Sequence, residues 1–100
     1  MKYLLLFFAA MVFYAPAYGG QLPEYNIKAQ CKDVSAAVGG SAVIELQCRK
    51  DEEAAKGRLA SASLPADTLR TCHDIAKTMS SYVILEQCIK DELAAKKQLQ

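Results

Sequence analysis

The sequence predicts an all-α protein. Two homologous, disulfide-stapled helical hairpins pack as a small four-helix bundle behind an N-terminal signal peptide. Three observations lead there. Four cysteines stand in a chain of 100 residues that opens like an exported protein. The chain repeats itself at an offset of 40 to 41 positions, down to the near-identical heptapeptides KDEEAAK (50–56) and KDELAAK (90–96). Each heptapeptide is rich in Ala, Glu and Lys, which favours helix over strand.

Residues 1–19 carry the expected signal peptide. Lys2 supplies a positive start, Leu4 to Tyr14 an apolar run, and Ala15-Pro16-Ala17 or Ala17-Tyr18-Gly19 the small residues of a cleavage site. The apolar run falls short of the roughly 20 residues that span a bilayer, so no stable membrane insertion is expected after cleavage. Cleavage removes Lys2 alone among the charged residues. Eleven basic side chains then face eleven acidic ones. A neutral chain lacks the basic excess of a nucleic-acid binder.

The remaining helical domain, residues 20–100, divides into repeat hairpins at 26–60 and 65–99. A domain of this size is marginal on hydrophobic burial alone, and an even cysteine count in an exported chain reads as a disulfide framework. In the first unit Asn26 is placed as the helix cap, and Gly39-Gly40-Ser41 as the turn. Val43, Ile44 and Leu46 are expected on the apolar face of the returning helix. Gly57 to Pro65 links the units, and Pro65 suits a helix start. In the second unit Asp67 is placed as the cap, Cys72, Ile75 and Met79 as one helix face, and Met79-Ser80-Ser81 as the turn.

Hairpin geometry pairs the cysteines. Cys31 and Cys48 are equally distant from the Gly39-Gly40 midpoint, and Cys72 and Cys88 from Ser80. Equal distance from the turn means equal height, about 12 Å up each helix. This favours Cys31–Cys48 and Cys72–Cys88 over pairings between units. Ala36, Ala37, Ala54 and Ala55 are expected to let the helices approach.

The heptapeptides read as solvated helix faces edged by alanines. Glu52 with Lys56, and Glu92 with Lys96, form i, i+4 pairs in the favourable order. The letters KDEL at 90–93 act as a retention address only at an extreme C-terminus, and seven residues follow them here. Neither a catalytic constellation nor a cofactor or metal motif is expected. His73 reads as a surface histidine and Tyr82 as a core residue at the hairpin tip. Partner contact is the alternative for both.

The pattern as a whole resembles small exported proteobacterial proteins of unknown function. Their repeats read roughly as Cys, a Gly-Gly-Ser-Tyr-like turn, a second Cys, then Glu and Ala-Lys. Here Gly39-Gly40-Ser41 and Ser80-Ser81-Tyr82 carry the turns, and the likeness covers Asn26 to Leu99. It implies an exported helical protein, periplasmic or secreted by a Gram-negative bacterium, and transfers no activity. The expected function is a non-enzymatic module that binds an unknown protein partner. A looser similarity to lysozyme-inhibitor-like helical proteins implies an inhibitor of a cell-wall hydrolase as one alternative. A thiol redox or metal-binding protein is the other.

Overall fold

The structure is a computed structural model and describes residues 21–100. The signal peptide expected at 1–19 lies outside the described residues. Four helices follow in order: α1 (Ile27–Ala37), α2 (Ala42–Ala60), α3 (Ala66–Ala76) and α4 (Tyr82–Leu99). α1 pairs with α2 and α3 with α4, and the two hairpins meet through α2 and α4. Glu52 of α2 meets the start of α4, and Arg58 meets Glu86 four residues further along. The two central helices therefore run in the same sense where they touch.

Side-chain caps start three of the four helices. Asn26 Oδ1 accepts the Ala29 N–H at 3.0 Å. Ser41 Oγ accepts from Ile44 and Ser81 Oγ from Ile84. The cap expected at Asp67 is corrected. Pro65 occupies that position with no side-chain bond, and Asp67 lies inside the first turn. Proline already holds φ where a helix entry needs it, and a carboxylate in the first turn still favours the positive helix end.

The hairpin tips differ in how they reverse the chain. After α1, Gly40 N–H bonds Ser35 C=O and Gly39 N–H bonds Ala36 C=O. These are the two bonds of a Schellman ending, and Gly39 takes φ +88°. At the second tip Ser80 adopts φ +50° without being glycine. A left-handed conformation costs a residue with a Cβ roughly 1–2 kcal/mol. Ser80→Gly should therefore raise stability by about 0.5–1 kcal/mol after the added freedom of the unfolded chain is set against it. The urea midpoint measures it, and an unchanged or lower midpoint contradicts it.

Both expected disulfides are present. Cys31–Cys48 has a Cα–Cα distance of 5.5 Å and Cys72–Cys88 one of 5.6 Å. Cys31 and Cys72 lie fully buried in the core, with Tyr25, Ile27, Ala55, Leu59, Leu69, Ala76, Tyr82, Leu85 and Ile89. Of the alanines expected to admit the close approach only Ala55 is buried, while Ala36, Ala37 and Ala54 face solvent.

Two expected apolar faces are corrected. Ile75 and Met79 are more than half exposed, and α3 buries Thr68, Leu69, Cys72 and Ala76 instead. The helix stops at Ala76, so Met79 belongs to the turn, and the Cys72 bridge turns the 68–72–76 stripe inward. Val43, Ile44 and Leu46 are also exposed. α4 meets α2 along its second half, and Ala55 and Leu59 supply the core there.

Candidate interaction surface

Glu52 joins the hairpins. It belongs to the heptapeptide expected to lie on a solvated face, yet it is only 3% exposed. Its Oε2 accepts the Ser81 hydroxyl and its Oε1 the Tyr82 N–H, each at 2.6 Å. A carboxylate at a helix N-terminus satisfies an otherwise orphaned donor and meets the positive end of the helix dipole. The expected Glu52 with Lys56 pair is not made, and Lys56 approaches Glu24 at 3.8 Å instead. Lys96 likewise turns away from Glu92 to Asp67 Oδ2 at 2.9 Å and Thr68 Oγ1 at 2.6 Å. Its hydrogen bond holds the Asp67 carboxyl below the usual range, helped by the Thr68 backbone N–H. Of the surface pairs along the helices, Glu45 with Arg49 is formed. Glu86 makes a two-pronged bond with Arg58 on α2, which lowers the pKa of Glu86.

Tyr82 is fully buried, so the contact reading for it gives way to the core reading. Its hydroxyl donates to Pro23 C=O at 2.8 Å and accepts the Tyr25 N–H at 2.9 Å. The segment before α1 is thereby tied to the second hairpin. Tyr25 packs against Tyr82 with ring centroids 4.8 Å apart. On its other side the Tyr25 hydroxyl lies 2.7 Å from His73 Nδ1, and the two rings stack. His73 is half-buried. It lines a groove of about 570 Å³ between this segment and α3, together with Leu22, Pro23, Leu69 and Arg70.

Burial, and then the neighbouring Tyr82, push the Tyr25 pKa up to about 12. The unfolded chain ionises near 10. The neutral tyrosine thus contributes stability that is complete below about pH 10 and lost as pH rises towards 12. Wild type should lose stability more steeply than Tyr25→Phe between pH 9.5 and 11.5. Parallel unfolding curves for the two proteins would remove this assignment.

Sequence reasoning missed Glu52 and Tyr25 as joint residues. The available signal for Glu52 was its recurrence as Glu92, while the next position changes from Glu53 to Leu93. For Tyr25 it was an aromatic residue set directly before a helix cap.

The surface also carries apolar residues without cover. Val34, Val38, Val43, Ile44 and Leu46 crowd the tip of the first hairpin, with Val43 77% and Leu46 55% exposed. Nearby, Val34 of α1 and Met79 of the second tip line a groove of about 440 Å³. All four cysteines are bridged. Among the described residues no group of His, Cys, Asp and Glu is placed to hold a metal ion. No helix there is long and apolar enough to cross a membrane. No family model, curated protein or solved structure matches the chain, so its surface chemistry has to be read from its own residues.

Proposed function

We propose that this protein is an exported, non-enzymatic interaction module of duplicated helical hairpins, working in the periplasm or outside a Gram-negative cell. The exposed aliphatic tip of the first hairpin carries the reading. Five aliphatic side chains lie within about two turns of Gly39-Gly40 and stay in water, although the same hairpin buries a core further down. Exposed aliphatic side chains concentrated at one end of a small folded protein support a place of contact. The Cys31–Cys48 disulfide closes the hairpin below that tip, which restrains it and lowers the entropy cost of docking a partner. The disulfides also fit an oxidising compartment, and the resemblance noted in the sequence supports export.

The test compares wild type with the double variant Val43→Asp and Leu46→Asp as bait in extract from the exporting compartment. Both substitutions are on exposed positions, and circular dichroism checks that the fold is kept. Wild type should retain a discrete protein that the double variant loses. Identical capture by the two baits would remove the tip as the contact surface.

A further inference from the structure

The joint between the hairpins has two halves, and the chain contains one of them twice. The receiving half is the α2 stripe Glu52, Ala55 and Leu59, with Lys56 beside it. The carboxylate binds the incoming helix start, and Ala55 and Leu59 are buried at 0% and 4% exposure. The entering half is the start of α4. Ser81 and Tyr82 meet the carboxylate, and Tyr82, Leu85 and Ile89 form the buried stripe. Lys56 lies 5.6 Å from the Tyr82 ring centroid.

Forty positions on, the receiving set recurs without a change as Glu92, Ala95, Lys96 and Leu99. In this second set Lys96 is held by Asp67 and Thr68, and the stripe of Glu92, Ala95 and Leu99 stays accessible. Glu92 is half-buried, Ala95 exposed and Leu99 86% exposed. No ion pair engages Glu92 among the described residues. The entering set does not recur. Tyr82, Leu85 and Ile89 correspond to Ala42, Glu45 and Arg49, and the last two form an ion pair with each other across that face. A polar outer face is how a terminal repeat stops further stacking. The first hairpin is therefore finished as an end, while the second still presents a receiving stripe. The chain holds two receiving sets and one entering set, and the latter is already docked.

We infer that Glu92, Ala95 and Leu99 receive the first turns of a capped helix reading Ser-Tyr-x-x-Leu on a separate polypeptide. The occupant follows from the filled joint. A serine cap offers its hydroxyl and the next residue its N–H to the two oxygens of Glu92. The aromatic ring and the leucine three residues later cover Ala95 and Leu99. A second copy of this chain is a poor occupant, because its free helix start offers Ala42, Glu45 and Arg49. The inference shares with the interaction-module reading only the premise that the protein binds protein, and it uses a different surface from the apolar tip.

The test titrates isotope-labelled, disulfide-intact protein with a helix-stapled peptide copying Ser80 to Leu93 with Cys88→Ser, followed by amide chemical shifts. Saturable shifts are expected over Glu92 to Leu99. Glu92→Gln in the protein should weaken binding about tenfold, the loss expected for charge-assisted hydrogen bonds, and Tyr82→Ala in the peptide should weaken it comparably. Both substitutions leave the labelled protein's own joint intact. Absence of shifts at 92–99, shifts confined to Glu52–Leu59, or binding indifferent to Glu92→Gln each overturns the inference. So does self-association of the protein alone that Glu92→Gln abolishes, since a second copy then covers the stripe. Either result is independent of capture by the Val43 and Leu46 tip.

Discussion

Glu52→Ala should destabilise the protein by about 3–5 kcal/mol. The substitution removes two charge-assisted hydrogen bonds, each worth roughly 1.5–3 kcal/mol, and leaves the Tyr82 N–H at a buried helix start without its acceptor. Ser81 keeps its capping bond to Ile84, so α4 still has a defined beginning. The damage falls on the union of the hairpins rather than on the hairpins themselves, because each remains closed by its own disulfide. Urea unfolding followed by near-ultraviolet circular dichroism of the tyrosines should show an early loss of the Tyr25 and Tyr82 environment. Far-ultraviolet helicity should persist to higher denaturant. Glu52→Gln keeps an oxygen for the Tyr82 N–H and should cost only about 1–2 kcal/mol. A Glu52→Ala protein with the wild-type midpoint would show that the buried carboxylate contributes nothing to docking.

Reduction of both disulfides should unfold the described domain at room temperature. The bridges span sequence separations of 17 and 16 residues, and loops of that length are worth roughly 3 kcal/mol each in the chain-entropy account. The net stability of so small a domain with its bridges in place is on the order of 5 kcal/mol, so losing both bridges exceeds it. The paired substitutions Cys72→Ser with Cys88→Ser should lower stability by about 3 kcal/mol and leave the first hairpin stapled. Helicity measured before and after reductant decides the matter. Undiminished helix in the reduced protein would show that packing alone suffices.

The parts of this fold that could be read from the sequence are those set by local geometry. Equal spacing of Cys31 and Cys48 about Gly39-Gly40, and of Cys72 and Cys88 about Ser80, is enough to pair the cysteines, since a hairpin turns equal spacing into equal height. Asn26 could be identified as a cap because the carboxamide and the amide it serves lie three residues apart. The misplaced features all depend on where one hairpin sits on the other. Val43 and Leu46 have the pattern of a buried face, but α4 meets α2 further along and leaves them in water. Glu52 and Lys56 have the spacing of a surface pair, but Ser81 and Tyr82 arrive from about thirty residues away and take the carboxylate. Periodicity reports which residues share a face, and it is silent on which face another element will cover.

The Tyr82 hydroxyl sets an order of assembly. Its bonds to Pro23 and Tyr25 join positions 59 and 57 residues apart, far more distant in sequence than either pair of cysteines. Contacts between remote positions close late, because the longer loop costs more entropy before any contact rewards it. A chain delivered from its N-terminal end therefore completes the Cys31–Cys48 hairpin first. Pro23 and Tyr25 wait until residue 82 has arrived. The segment ahead of the first hairpin is the last to be clasped, and the two hairpins are locked together by the tyrosine that opens α4.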